Sequence, residues 1–258
     1  MTALFAHRPW RVVERNAVVA RRQWYVFLAG GVEPFLFLFS VGVGVGELVD
    51  AVTGPGGASI SYREFVAPAM MATAAMNTVV FDLTIAFFVR FKYINTYDAM
   101  LVTPLTPRDL VRGELLFSLG RVALYATAFA ATMAVMGLMA SPWAVLAVPA
   151  ALLVGFAFGG VGMAASTWMR SWLDFDYVFV VTVPLFLFSG TFFPLDEYPG
   201  GLQLLVQASP LYHGADLIRH LVLGGVGVAQ LWSVLYLVAM GTAGLAVAQR
   251  RIHRFLQP

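Results

Sequence analysis

The sequence has no cysteine, one lysine among 258 residues, four histidines and few charges of either sign. Without cysteine there can be no disulfide, no thiolate nucleophile and no Cys-based metal site. The lone lysine, Lys92, is followed by tyrosine and follows no glycine-rich loop. A phosphate-binding NTPase loop requires Gly-x-x-x-x-Gly-Lys-Ser/Thr, because its backbone N–H groups and lysine hold the phosphates together. The polypeptide is therefore not itself a P-loop ATPase, and no cofactor is expected in this chain. No Ser/His/Asp order with a nucleophile elbow is present, so catalytic residues are not expected either. His213 and His220 are seven residues apart. That spacing puts them on one helical face but two turns from each other, too far to share a metal.

What the sequence does have is apolar surface. Hydrophobic residues make up 60% and charged residues 12%, against about 45–50% and 25% in soluble domains. With 21 Phe, 6 Trp and a mean hydropathy of +0.79, the chain reads as one whose solvent is lipid. A membrane helix needs about 20 apolar residues to cross a hydrocarbon core of roughly 30 Å. Six stretches qualify: 25–46, 65–89, 115–139, 143–169, 177–193 and 228–247. The expected fold is an all-α integral membrane protein of six spans, with 1–258 forming a single transmembrane domain. Residues 194–227 are too polar to face lipid and too apolar for an ordinary loop, so they predict a re-entrant or interfacial helical hairpin.

Basic residues accumulate in short cytoplasmic loops. Thirteen of the sixteen lie at the N-terminus, between 90 and 112, at Arg170 or at the C-terminus. Both termini are therefore expected in the cytoplasm of a multi-pass inner-membrane protein. The N-terminus is expected to be retained, since its first 24 residues are basic and amphipathic rather than signal-like. In that segment Trp10, Val13, Ala17, Ala20 and Trp24 share one helical stripe, and Arg8, Arg11, Arg15 and Arg22 share another. This spacing predicts a helix in the headgroup plane, either with a mechanical role or as a simple positive-inside anchor.

The loop between the second and third spans carries Asn95 or Thr96 as a cap, then Tyr97, Met100 and Leu101 on one face, then Pro104 as a stop. A short amphipathic helix here offers an apolar knob to a partner's groove; the plainer alternative is a helix lying on headgroups. Glu33, Asp82 and Arg121 fall inside apolar spans, where charge is expensive. Pairing of Asp82 or Glu33 with Arg121 competes with a role in a substrate or proton path, and a proton-coupled secondary transporter remains the alternative function.

The residues resemble the type-2 ABC exporter permeases, and within them the branch of the nodulation-factor (lipooligosaccharide) export permease and actinobacterial antibiotic-resistance permeases. The similarity runs over nearly the whole chain. It includes Glu33-Pro-Phe-Leu-Phe-Leu, Met100-Leu-Val-Thr-Pro-Leu-Thr with Asp109 and Gly113-Glu114, and Asp176-Tyr-Val-Phe. Most specific is Phe188-Ser-Gly-Thr-Phe-Phe-Pro194, then Pro199, then Pro210-Leu-Tyr-His-Gly-Ala-Asp-Leu-Ile-Arg219.

The resemblance implies a dimer, formed with a second copy or a paralogue, bound to two cytoplasmic ATPase subunits that hold ATP and Mg. Membrane lipids are further partners, and nucleic acid is not expected. It also implies an elbow helix over 1–24 (Trp10, Arg11, Arg15, Arg22), a coupling helix (Thr96, Tyr97, Met100, Leu101) and extracytoplasmic re-entrant helices. The implied work is outward movement of an amphipathic, lipid-linked or hydrophobic molecule. Glu33, Phe186, Phe188, Phe192 and Phe193 are the candidate path residues.

Overall fold

The computed structural model describes residues 8–22, 24–25, 32, 36–40, 44, 49, 51–94 and 96–256. Most of the first predicted span, Glu33 and the candidate cap Asn95 lie outside these residues. The described chain is almost entirely helical, apart from a two-residue antiparallel pairing of β1 (Val52–Thr53) with β2 (Ser59–Ile60).

Helix α1 spans Arg8–Arg22 and turns only Val12 and Asn16 fully inward. Helix α2 begins at Tyr62 behind a capping box, in which Ser61 and Glu64 each accept from the other's backbone N–H. It passes from α-helix over Tyr62–Val80 into π-helical turns over Phe81–Ala86 and Val89–Tyr93, making one 32-residue rod. Helix α3 is the short Thr96–Leu101 segment. Helix α4 covers Pro107–Val135, with a second capping box from Thr106 and Asp109 and proline at its first position.

It starts at Pro107, eight residues before the apolar stretch predicted as the third span. Arg108 and Arg112, read as loop, ride on the helix because the cap and Pro107 start it a full two turns earlier. A 3₁₀ turn at Pro142–Leu146 leads into α5 (Ala147–Ser166). After α6 (Phe175–Leu187), the segment 194–227 holds α7 (Gly200–Ala208) and α8 (Pro210–Leu223), joined at Ser209. The last helix, α9, is Val228–Leu256.

Four of these helices are long and apolar enough to cross a membrane: the α2 rod, α4, α5 with its 3₁₀ lead-in, and α9. The α2 rod and α5 bury 56% of their most apolar stretch, whereas α4 and α9 bury 28%, so the first two form the centre. The predicted fifth span, 177–193, is shorter than expected. At 13 residues α6 measures about 20 Å, below the roughly 30 Å of a hydrocarbon core. It ends at Phe188, five residues before the predicted end of the span at 193. Phe188 leaves the helical region, Gly190 takes φ 65°, and Ser189 and Thr191 hydrogen-bond each other at 2.6 Å.

Arg219 of α8 holds this corner. Its Nε donates to the Phe65 carbonyl (3.1 Å), its Nη2 donates to the Gly190 carbonyl (2.8 Å), and its guanidinium stacks 3.9 Å from the Phe65 ring. Burial lowers its pKa to about 10, which leaves it charged at neutral pH.

Helices α5 and α9 meet backbone to backbone. A Cβ placed on Gly244 would lie 2.6 Å from the Gly160 carbonyl carbon and from the Val161 nitrogen. Small residues permit such contact where lipid supplies no hydrophobic drive between helices.

Candidate functional site

The basic end of the bundle holds a buried polar network that joins four helices. Glu114 of α4 is 1% exposed, and its Oε2 accepts from Asn16 Nδ2 of α1 (3.0 Å) and from Arg90 Nη2 of the α2 rod (2.9 Å). Arg90 Nε donates in turn to the Tyr97 hydroxyl of α3 at 3.1 Å. Burial pushes the Tyr97 phenol well above its usual pKa, and the Glu114 charge adds to the rise. The neutral hydroxyl is therefore the form that Arg90 meets.

The crossing of α1 over α4 is close because residue 113 is glycine. A Cβ there would come 2.5 Å from Val12 Cβ and 2.6 Å from the Pro9 carbonyl oxygen. Neither Asn16 nor Glu114 was singled out for this role from sequence. Their signal was faint: a single carboxylate 24 residues beyond Arg90, one of three acidic residues in that stretch.

This arrangement corrects the expectation for α3. Tyr97 is 1% exposed, with its ring 5.1 Å from that of Phe87 and 6.3 Å from that of Phe91. Its side chain therefore faces its own bundle, on the inner side of the predicted coupling helix. Thr96, Met100 and Leu101 are half-buried, and the open side of α3 and its exit is Asp98, Ala99 and Val102, the last 89% exposed. The apolar face found by periodicity is real, but the nearest apolar surface is the chain's own.

Beside α3, the α1 residues divide by face. Trp10, Arg11 and Arg22 are exposed and Arg15 is half-buried. Arg8, Arg11 and Arg15 line a groove of about 640 Å³, whose other wall is Thr96, Ala99, Met100, Thr103, Pro104 and Leu105.

Deeper in the bundle, Arg121 Nη1 of α4 donates to Asp82 Oδ1 of the α2 rod. Ser118 Oγ donates to the other carboxylate oxygen (3.0 Å), and Arg121 Nη2 donates to the Tyr125 hydroxyl (3.2 Å). Asp82 sits on a π-helical turn, a distortion frequent at functional sites.

An apolar cleft of about 940 Å³ separates α6 from the α2 rod and α5, with Phe158, Trp168, Tyr177, Val181 and Leu185 on its walls. Arg170 and Asp174 close one end of it. Backbone N–H groups of Arg170 and Ser171 hold the Asp174 carboxyl below its usual pKa. Phe186 is half-buried on α6, and the Phe192 ring meets it edge-on at 5.0 Å. Phe188 and Phe193 are exposed. Phe192 and Phe193 lie beyond the end of α6, where they border a separate hollow of about 740 Å³ against the β1–β2 hairpin.

Comparison with known proteins places this architecture. The model of the family described as "ABC-2 type transporter" matches residues 10–223. Nodulation protein J of Rhizobium leguminosarum bv. viciae is 31% identical over 257 residues, covering 95% of this chain and 94% of that protein. Nodulation protein J of Sinorhizobium fredii is 33% identical over 262 residues, covering 97% of both chains. A weaker likeness, 27% over 198 residues, covers 73% of this chain and 52% of the Escherichia coli protein "Probable multidrug ABC transporter permease YbhR". The matched segment takes in the α1–α3–α4 network and the α7–α8 pair, and the chain belongs to the ABC-2 type transporter family as a membrane subunit of an ABC transporter.

Proposed function

We propose that this chain is the membrane half of an ATP-driven exporter that moves an amphipathic, lipid-linked or hydrophobic molecule outward across the bacterial cytoplasmic membrane. Two copies, or one copy and a paralogue, form the path. Two cytoplasmic ATPase subunits hold ATP and Mg and supply the energy. The chain crosses the membrane six times, with the first apolar stretch and α6 adding to the four long helices. Both termini and α3 face the cytoplasm, and α7 and α8 form the re-entrant pair on the far side.

The observation that supports this reading most is the Tyr97–Arg90–Glu114–Asn16 network. It fixes a short surface helix to three other helices through buried, charge-assisted bonds. Displacement of α3 by a moving partner is thereby delivered to α1, α2 and α4 at once. The apolar cleft beside α6, whose charged lining residues are Arg170 and Asp174, suits a cargo that has a tail and a headgroup.

The test is reconstitution in liposomes with and without the ATPase subunit that co-purifies from native membranes, using a fluorescent glycolipid and a hydrophobic dye as probes. Movement is expected only with ATPase and ATP, and is expected to survive collapse of the proton gradient. Movement by this chain alone that stops with the gradient would establish the secondary-transporter reading instead.

A further inference from the structure

The hollow between the β1–β2 hairpin and the chain that follows α6 has a lining unlike that of the cleft beside α6. Its volume is about 740 Å³, and Tyr62, Phe192, Phe193 and Tyr198 contribute aromatic rings to its walls. Glu197 is the single charged residue among its described lining, and Thr53 adds a hydroxyl. Arg63, although next to Tyr62 in sequence, is not part of that lining. Tyr62 starts the α2 rod and Tyr93 ends it, so the hollow and α3 lie at opposite ends of a 32-residue helix.

One wall is set by local structure. A 3₁₀ turn over Leu195–Glu197 puts Glu197 and Tyr198 side by side, closed by bonds from the Glu197 N–H to the Pro194 carbonyl (3.2 Å) and from the Tyr198 N–H to the Leu195 carbonyl (3.2 Å). Gln203 Nε2 of α7 then donates to the Tyr198 carbonyl at 2.8 Å. The Tyr198 ring stands 80° from that of Phe193, with 6.5 Å between centroids. Aromatic walls nearly at right angles beside a carboxylate suit a cation, because ring faces attract positive charge and the carboxylate balances it. Among the described residues no hydrogen bond or ion pair engages the Glu197 carboxylate. A wall that is already in place loses little entropy when a ligand fills it.

The lining also discriminates between ligands. A phospholipid ammonium carries a phosphate a few bonds away; the described lining offers that phosphate no Lys, Arg or His and sets a like-charged carboxylate beside it. A sugar ring needs several hydrogen-bonding side chains around its edge, and the described lining holds no amide or guanidinium. The volume lies in the range of about 300–1,000 Å³ usual for small-molecule sites, so an amine with an apolar body fills it better than a bare ammonium. We infer that the hollow binds a free organic cation, a protonated or quaternary amine without a phosphate, with Glu197 as counter-ion and the Phe193 and Tyr198 rings as its cage. This site is independent of the ATPase-dependent reading.

The test is binding of choline to the full permease, purified in a non-ionic detergent without a sugar headgroup, by equilibrium dialysis and saturation-transfer NMR. The uncharged alcohol in which carbon replaces the choline nitrogen controls for shape, and benzyltrimethylammonium is the larger cation. Choline is expected to bind about tenfold more tightly than the alcohol and more weakly than benzyltrimethylammonium. Glu197→Gln is expected to weaken both cations about tenfold and to leave the alcohol unchanged. Phe193→Leu keeps apolar volume but removes the ring face, and is expected to weaken both cations about threefold. Both side chains are exposed, and monodisperse elution with an unchanged melting temperature checks that the variants fold.

Equal binding of choline and the alcohol, undiminished cation binding in both variants, or no cation binding by the folded protein overturns the proposal. Tighter binding of glycerophosphocholine than of choline assigns the hollow to lipid headgroups, and tighter binding of methyl glucoside assigns it to sugars; either result overturns it as well. All of these outcomes leave the ATPase-dependent reading to its own reconstitution test.

Discussion

Arg90 and Tyr97 are seven residues apart in sequence, yet the first belongs to a membrane-length helix and the second to a short surface one, and they are joined by a 3.1 Å bond inside the bundle. The bond crosses the turn at Ile94, where the α2 rod ends and α3 begins. It ties the start of α3 back to the α2 rod.

Two substitutions at Tyr97 separate packing from linkage. Tyr97→Phe keeps the ring against Phe87 and removes only the hydroxyl, with an expected loss of about 0.5–1.5 kcal/mol. Tyr97→Ala also opens a cavity and is expected to cost about 3–5 kcal/mol. Thermal unfolding in detergent measures both losses. Cargo-stimulated ATP hydrolysis in the phenylalanine variant reads the linkage alone, and it is expected to fall although the ATPase still binds. Wild-type stimulation in that variant would remove the hydroxyl from the mechanism.

For Asp82 and Arg121 the expectation is non-additive. Removing either partner strands a buried charge, at about 3–5 kcal/mol. Asp82→Ala and Arg121→Ala should each reduce the monodisperse yield, and the double variant should recover part of it. Size-exclusion profiles of tagged protein provide the measurement, and losses that simply sum would show that the two charges act separately.

Much of this was visible in the sequence, though unevenly. Runs of twenty apolar residues announced the four long helices, because burial in lipid demands length and composition above all. Capping boxes at Ser61 and Thr106 were equally present in the sequence, but a hydropathy window smooths over polar first turns, so both helices were drawn too short at their starts. The short reach of α6 was hidden because Phe188, Phe192 and Phe193 are as apolar as the helix before them. The break there is conformational and depends on Gly190 and on Arg219, 29 residues away. Periodicity grouped Tyr97, Met100 and Leu101 correctly as one face. It could not say which of two apolar environments that face would meet.

Orientation has its own test. In this cysteine-free chain, single cysteines at the exposed positions Ala58 and Gly201 are expected to react with impermeant maleimide added to whole cells. One at Val102 should react only after the membrane is opened. Reaction at Val102 alone in intact cells would invert the topology.

A pH dependence is expected from a pair on α8 that meets the start of α9. His220 Nδ1 lies 3.2 Å from Asp216 Oδ1, and Gln230 of α9 donates to the other carboxylate oxygen at 3.3 Å. The hydrogen bond that the His220 ring donates to the Asp216 carboxylate raises the His220 pKa, although burial opposes it. Burial acts to raise that of Asp216, but its contacts with His220, Arg219 and Gln230 together outweigh it and hold the carboxyl below its usual value.

The sign follows from linkage. The His220 contribution is complete below its ordinary pKa of about 6.5 and is lost as pH rises through the raised value. The Asp216 contribution is complete above its ordinary pKa of about 3.9 and is lost as pH falls below it. Melting temperature in detergent should therefore peak between the two, and His220→Gln should flatten the alkaline side of the curve and, because His220 also lowers the Asp216 pKa, weaken the acid side. An unchanged alkaline limb in that variant would place the titration elsewhere.

The backbone contact between Gly160 and Gly244 sets where the protein is stiff. Where Gly244 meets Gly160 no side chain separates the two helices, so α5 and α9 are expected to shift as one body. Helix α6 borders the apolar cleft and packs inward at Phe175 near its start and at Leu185 and Phe186 near its end. The cleft wall between those anchors is therefore the expected place for the molecule to yield first.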